Sequence, residues 1–342
     1  MNSMERIRLG RRKRRLRRRT ASAALGALVL TLAVLSLVLG KTIYPFRDMI
    51  RALSGEEIRG VTFAVHTLRL PRMLAGTLTG IALGISGTSF QTMLRNSLAS
   101  PDVIGVTSGA GAAAVFCILV LRWSGPAVSA AAVIAGLAVA ALIFLTSGGG
   151  SFGGGRMILI GIGIGAMLNA FVSYLLMKAS DYDVPAALRW LSGSLNGVRM
   201  KELPPIAIAV AVLGPAAALL GDRLRVMELG EEAATALGVP VRRTRLLLTL
   251  CAVGLAAFAA TVTGPVAFVA FLSGPIAARL AGSGRAGALP SALTGAALVL
   301  GADLLGQFAF ETRFPVGVIT GILGAPYLIF LLIGSNRKGG SI

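Results

Sequence analysis

The sequence predicts an all-α polytopic membrane protein with about ten transmembrane helices. Hydrophobic residues make up 55% of its 342 residues and charged residues only 14%, whereas soluble globular domains carry about 25% charged residues. The mean hydropathy is +0.80. Long apolar runs alternate with short polar segments, and most runs approach the roughly 20 residues that a helix needs to cross a bilayer.

Ten apolar runs can be placed along the chain. They cover residues 21–40, 71–93, 102–121, 125–146, 156–177, 203–220, 241–263, 265–280, 287–310 and 316–333. An even number of crossings puts both termini on one side. Lys and Arg collect at the run ends that this topology places in the cytoplasm, as the positive-inside rule requires. We therefore expect a basic cytoplasmic leader at 1–20, a transmembrane domain at 21–334 and a cytoplasmic tail at 335–342.

The leader concentrates the positive charge. Residues 1–19 hold ten Lys or Arg and one acid, Glu5, so nine of the 19 net positive charges lie there. In a soluble domain this would suggest a nucleic-acid partner. Here the arginines directly precede a run of spanning length, so we expect membrane lipid with anionic headgroups instead, and no nucleic acid. The run 21–40 is also too long for the apolar core of a secretory signal.

Residues that could carry chemistry are few. His66 is the only histidine, and Cys117 and Cys251 lie within apolar runs, so no protein metal site is expected. The glycine-rich segment 147–156 lacks the Gly-Lys-Ser/Thr ending of a phosphate-binding loop, and we interpret it as a hinge or gate. Because no nucleophile is paired with a base, we predict no catalytic residue, no cofactor in this chain and no enzyme activity.

Glycines recur every four residues in several runs. Gly76, Gly80 and Gly84 share one helical face in the second run, a pattern that lets helices approach closely in lipid. Polar residues within the runs are rare, and Asp303 has the highest cost of burial. It either pairs with a neighbouring helix or contacts the substrate. The same alternatives hold for Gln91, Asn169 and Gln307.

The polar segment 41–70 is a first candidate for partner binding. We expect it to form two surface helices, at 46–53 and 56–68, before the motif Arg69-Leu-Pro-Arg72. Cations at the start of a helix oppose its dipole. Arg69 and Arg72 therefore indicate either an acidic partner or anchoring to lipid headgroups.

A second candidate is the segment 222–245, where charge is densest between the runs. We expect a short helix within 224–240 that ends at Gly238, with Pro240 beyond it. It could offer one apolar and one acidic face to another protein. The alternative is a solvated loop between two spans. The apolar face would hold Leu229, Ala233, Ala236 and Leu237, with Glu231, Glu232 and Thr235 off that face.

Several short motifs follow one another along the chain. They are 69–72 (RLPR), 80–87 with Gln91, 95–102 (RNSLASPD), 104–109 (IGVTSG), 190–194 (WLSGS), 229–233 (LGEEA) with 237–239 (LGV), 264–268 (GPVAF), and 315–321 (PVGVITG) with 323–326 (LGAP). Over residues 20–334 this order resembles the FecCD family. Its members are the permease subunits of ABC importers for iron–siderophore, haem and cobalamin complexes.

The resemblance implies a type II ABC importer permease fold in the plasma membrane of a bacterium. Such a subunit dimerises around a central pathway, carries two ATPases that use ATP and Mg, and receives cargo from an extracytoplasmic binding protein. The resemblance assigns ATPase coupling to Glu228, Leu229, Gly230, Glu231, Glu232, Ala233, Ala234, Leu237 and Gly238. It assigns docking of the binding protein to Arg69 and Arg72, and the cytoplasmic gate to Asn96, Leu98, Thr146 and Ser147. We expect the pathway candidates to be Met167, Asn169, Gln307 and Thr320.

The chain departs from the family pattern at a few positions. Ser97 stands where proline is usual, and Gln307 where an arginine is usual, so Arg313 is expected to supply the third docking cation. The segment 273–279 lacks a histidine that many members carry. This absence, the motif 100–105 and the arginine-rich leader look more like the ferric-enterobactin-type subgroup, whose members often pair with a non-identical second permease. Cobalamin or haem cargo, or an ion-coupled secondary transporter, are the alternatives.

Overall fold

The structure is a computed structural model that describes residues 3–40, 42, 44–102, 105–147, 154–227, 230–282 and 287–336. All regular elements in these ranges are helical. The α-helices of the described ranges are α1 (Ser3–Val38), α2 (Phe46–Leu53), α3 (Leu70–Met93), α4 (Val106–Leu119), α5 (Pro126–Thr146), α6 (Gly154–Lys178), α7 (Val184–Leu191), α8 (Pro204–Met227), α9 (Glu231–Ala236), α10 (Val241–Thr263), α11 (Val269–Ala281), α12 (Ala288–Phe308) and α13 (Val316–Asn336). A π-helical segment, Phe63–Arg69, precedes α3, and a 3-10 helix, Met200–Glu202, precedes α8.

The prediction of an all-α polytopic membrane protein is confirmed. In the part of the chain that the structure describes, seven helices are long and apolar enough to cross a membrane. They comprise α1, α3 with its π-helical start, α5, α6, α8, α10 and α12. The shorter apolar helices Val106–Leu119, Val269–Ala281 and Val316–Phe330 coincide with the three remaining predicted runs.

Contacts between connecting segments define the two ends of the bundle. At the leader end, where residues 3–19 lie, Arg17 Nη2 donates to the carbonyl oxygen of Arg279 at 3.3 Å. At the opposite end, which we call the far end, the amide of Ser194 donates to the carbonyl of Thr263 at 2.6 Å. The loops between successive helices alternate between these ends. Those at the far end are the described parts of 39–60 (39–40, 42 and 44–60), together with 120–125, 179–203, 264–268 and 309–315.

Helix α3 lies at the centre of the bundle, packed against α8, α10, α11 and α12. Its predicted glycine face meets α12. A Cβ at Gly80 would overlap the carbonyl oxygen of Gly295, and a Cβ at Gly84 would overlap that of Ser291. The backbones of α3 and α12 therefore approach at a distance that only glycine permits.

The prediction of a separate surface helix at 56–68 is wrong. Residues 56–60 are not helical, and a helix begins at residue 61 and continues through α3. Pro71 has no N–H, and its ring would clash with the carbonyl four residues earlier in a regular α-helix. The wider π register before it, in which the amide of Leu70 bonds to the carbonyl of Val65, lets the helix pass through this proline.

Two further helical features were not predicted. Helix α1 includes the arginine-rich leader and runs past residue 20 without a break. Helix α7 lies in the far-end loop between α6 and α8 and packs against α4. The sequence did carry a signal for α7, because Pro185 lies in its first turn, a position that favours helix initiation.

Candidate functional site

The polar segment at the leader end forms the short helix α9. Gly230 precedes it with φ of 113°, and Gly238 follows it with φ of 80°. Side chains with a Cβ rarely adopt such values, so glycine defines both ends. Two of the predicted coupling residues, Glu228 and Leu229, lie outside the described residues.

The small side chain of Ala234 packs α9 against the bundle. Ala234 is fully buried and belongs to the apolar cluster that holds Met227 of α8 and Leu248 of α10. Ala236 and Leu237, from the predicted apolar face, are exposed, and Leu237 retains 65% of its accessible surface. Together with the exposed Glu232, Leu237 gives α9 an outward surface that is both apolar and acidic.

Two predicted gate residues lie in the leader-end loop that follows α3, described over residues 94–102. The side-chain oxygen of Asn96 accepts the amide of Leu98 at 2.8 Å, and the carbonyl of Asn96 accepts the amide of Ala99 at 3.1 Å. These bonds close a tight turn through the asparagine side chain. The turn is therefore closed with Ser97, and not a proline, after the asparagine.

The same loop contains an acid that the sequence analysis did not select. Burial raises the pKa of Asp102 to about 6, and a hydrogen bond with the Thr107 side chain opposes that rise. A carboxyl group desolvated in this way favours its protonated form. Asp102, whose pKa is raised to about 6, therefore lies beside the predicted gate residues.

The other two predicted gate residues, Thr146 and Ser147, lie at the C-terminal end of α5, also at the leader end. Thr146 Oγ1 donates to the carbonyl of Leu142 at 2.7 Å, and Ser147 Oγ donates to that of Phe144 at 2.9 Å. Both hydroxyls therefore bond to their own helix. Most of the predicted glycine hinge, 148–153, lies outside the described residues.

The predicted docking arginines lie at the far end in different environments. Arg69 Nη1 donates to the carbonyl oxygens of Leu37 and Val38 at 2.7 and 2.8 Å. It thus satisfies carbonyls at the C-terminus of α1 that have no intrahelical partner. Arg313 is exposed in the loop between α12 and α13.

Arg72, the remaining predicted docking cation, forms a bidentate ion pair with Asp303. Its Nη2 and Nε lie 2.8 and 2.9 Å from the two carboxylate oxygens, and its Nη1 donates to Asn196 Oδ1 at 2.5 Å. Gln307 Nε2 donates to Asp303 at 2.8 Å. Of the two alternatives left open for Asp303, the structure shows pairing with a neighbouring helix.

The four predicted pathway residues are not brought to one surface. Met167 and Asn169 are exposed on α6. Gln307 belongs to the Arg72–Asp303 cluster, and Thr320 is buried in α13 with its hydroxyl donating to the carbonyl of Gly317 at 3.1 Å. Residue type alone could not separate the exposed face of α6 from these packed positions.

A second ion pair, missed by the sequence analysis, fixes the start of α7. Arg122 Nη1 contacts Asp183 Oδ2, and Ser180 Oγ donates to the same oxygen at 2.5 Å. The Ser180 hydrogen bond and the Arg122 guanidinium lower the pKa of Asp183. The far-end loops after α4 and α6 are therefore tied together.

Comparison with known proteins gives a consistent result. The FecCD transport family matches residues 28–334. The chain is 42% identical over 288 residues to the ferric enterobactin transport system permease protein FepG of Escherichia coli (strain K12), which covers 84% of this chain and 87% of that protein. It is 35% identical over 329 residues to FepD of the same organism, named likewise as a ferric enterobactin permease, covering 94% and 98%.

A solved structure shows the same architecture. It is described as a metal-chelate type ABC transporter in an inward-facing conformation. It superposes with a TM-score of 0.80 at 26% identity and covers 92% of this chain and 98% of its own. Fold, motif order and sequence similarity agree across almost the whole chain, which therefore belongs to the FecCD transport family.

Proposed function

We propose that this chain is the permease subunit of an ATP-driven importer that moves ferric siderophore complexes of the enterobactin type into the cytoplasm. The observation that carries the proposal is the 42% identity, over 84% of the chain, to a ferric enterobactin permease. The structural similarity to a metal-chelate type ABC transporter supports the same class of transporter.

In this proposal the leader end is cytoplasmic and the far end extracytoplasmic. The charge distribution supports this orientation. Among the described residues, the leader carries ten Lys or Arg, the leader-end segments of the later helices carry eight, and the far end carries eleven. The excess at the leader end is the bias that the positive-inside rule describes.

The chain itself performs no chemistry in this proposal, and two partner ATPases hydrolyse ATP with Mg. Their closure pushes on α9, whose outward surface at Glu232 and Leu237 binds the ATPase. Because Ala234 seats α9 against α8 and α10, a displacement of α9 is transmitted to two spans. Coupling between distant sites needs a contiguous packed element of this kind.

Two further partners complete the importer. FepG and FepD are non-identical ferric enterobactin permeases of one organism, and both resemble this chain, which supports a non-identical second permease. At the far end, an extracytoplasmic binding protein docks through Arg313 together with Arg69 and Arg72. Arg313 is the most accessible of these three, because Arg69 and Arg72 also bond within the chain.

Uptake of radiolabelled ferric enterobactin tests the proposal. The chain is reconstituted in proteoliposomes with its candidate ATPase and second permease, with ATP and Mg enclosed and the binding protein supplied outside. We expect uptake that vanadate abolishes and a protonophore spares. Uptake of cobalamin or haemin in place of the siderophore would overturn the cargo assignment. Uptake that a protonophore abolishes and vanadate spares would overturn the ATP-driven mechanism.

A further inference from the structure

The far end contains a cavity of about 740 Å³ that no proposed step of transport uses. Its walls come from α5, α7 and the segment that leads into α8, and its floor is the end of α10. Helices α5 and α8 each pack against α10, so the cavity is a groove between two neighbouring helices above a third. It opens on the outer surface of the bundle.

The groove runs along the first part of α5, an apolar helix of spanning length. It begins at Trp123, before α5, and continues to Ile134, which lies eight residues beyond the first residue of that helix. At 1.5 Å per residue this distance is about 12 Å. Ile134 is 68% exposed, and Ile208 and Val212 on α8 are 63% and 60% exposed, so lipid tails would surround this part of the groove.

The inner part of the groove is apolar and its mouth is basic. Val133 of α5 with Phe258 and Val262 of α10 line the inner part. At the mouth lie the exposed Arg189 of α7 and Lys201 of the 3-10 helix. A ligand that matches both parts has an apolar chain and an anionic head.

Two other features of the mouth fit such a ligand. Trp123 and Trp190, the chain's two tryptophans, both line the cavity, and tryptophan is enriched where a membrane meets water. Glu202 is the acid at the mouth. Its Oε2 accepts the backbone amide of Arg199 at 3.2 Å, so this carboxylate is bonded to its own helix.

We propose that this groove binds an anionic phospholipid from the adjacent leaflet. One acyl chain lies along α5 above Phe258, and the phosphate lies between Arg189 and Lys201. The bound lipid also adjoins the Arg72–Asp303 cluster, because Asn196 lines the same cavity and accepts a hydrogen bond from Arg72.

Lipid retention measured by native mass spectrometry tests the proposal. The assembled transporter is placed in nanodiscs with equal amounts of phosphatidylglycerol and phosphatidylethanolamine, and the lipids kept after release are counted. We expect the wild type to retain phosphatidylglycerol preferentially. Arg189→Glu with Lys201→Glu should lower that retention roughly tenfold or more, since each basic residue near a headgroup contributes to anionic-lipid binding. Val133→Trp fills the apolar part and should lower retention of both lipids.

Arg199→Glu is the matched control, because Arg199 is an exposed cation of the same loop that does not line the groove. It should retain lipid as the wild type does. Three results would overturn the proposal: wild-type retention in the Arg189/Lys201 variant, an equal loss in Arg199→Glu, or displacement of the lipid by inorganic phosphate alone. The last result would identify a site for free anions. None of these outcomes depends on the identity of the cargo.

Discussion

The Arg95 guanidinium donates a hydrogen bond to the carbonyl oxygen of Met227, with 2.5 Å between Nη2 and the oxygen. The same carbonyl accepts the amide of Gly230, the residue before α9, at 3.2 Å. Arg95 directly precedes Asn96 of the predicted gate and adopts a left-handed backbone conformation with φ of 51°. The Met227 carbonyl oxygen therefore joins the gate loop, the end of α8 and the start of the predicted coupling helix.

Replacing Arg95 with glycine should uncouple ATP hydrolysis from uptake. Glycine accepts the left-handed conformation, so the variant removes the guanidinium without adding backbone strain. A hydrogen bond from a charged group contributes about 1.5–3 kcal/mol, and we expect roughly a tenfold or larger fall in substrate imported per ATP hydrolysed. Arg122→Gly is the control, because Arg122 also has a positive φ, of 58°, but lies at the far end. An unchanged transport ratio in Arg95→Gly would contradict the coupling role.

Two substitutions in α9 should separate partner binding from packing. Leu237 is 65% exposed and Ala234 is fully buried. We expect Leu237→Asp to abolish co-purification of the ATPase while the thermal transition of the permease stays unchanged. Ala234→Leu should instead lower that transition, since overpacking a core costs about 1–3 kcal/mol. Retention of the ATPase by Leu237→Asp would show that this surface is not the binding site.

The sequence predicted the spans well because the hydrocarbon layer requires long apolar runs. Contacts between residues far apart in the chain were harder to predict from the sequence. Nothing local to Arg72 marks its pairing with Asp303, 231 residues away, so the sequence showed a cation and an acid but no pair. Likewise, the periodicity of α9 indicated which residues share a face, but not that Ala234 would be buried against the bundle. Helix α7 was missed because, at eight residues, it is shorter than the runs that identify spans.

Removing one partner of the Arg72–Asp303 pair should destabilise the far end. Asp303 is 2% exposed, and loss of one member of a buried ion pair typically costs about 3–5 kcal/mol because the other charge is left uncompensated. We expect Asp303→Asn to lower the thermal transition in detergent. The double variant Arg72→Met with Asp303→Leu should recover part of the loss. If the double variant were less stable than Asp303→Asn, the two charges would stabilise the protein by more than compensating each other.

The permease should become more stable as pH falls through about 6, owing to Asp102. The carboxyl pKa is raised in the folded state above its unfolded value near 4. The native state therefore binds more protons between these values, and stability is lost as pH rises through this window. We expect thermal transitions at pH 5 and pH 7.5 to differ by more in the wild type than in Asp102→Asn. The difference over this interval corresponds to about 1.4 kcal/mol. Identical pH profiles for the two proteins would remove Asp102 as the cause.

The glycine contact between α3 and α12 should tolerate no side chain. A Cβ at Gly80 would overlap the Gly295 backbone, whereas a Cβ at Gly163 on α6 would meet no atom within 4 Å. We expect Gly80→Ala to lower the thermal transition markedly, because backbone shifts of this kind cost about 1–3 kcal/mol or more. Gly163→Ala should leave the transition unchanged or raise it, since alanine favours the helix by about 1 kcal/mol over glycine. Equal effects of the two substitutions would mean that helix propensity, and not close approach of the backbones, explains the glycines of the central helix.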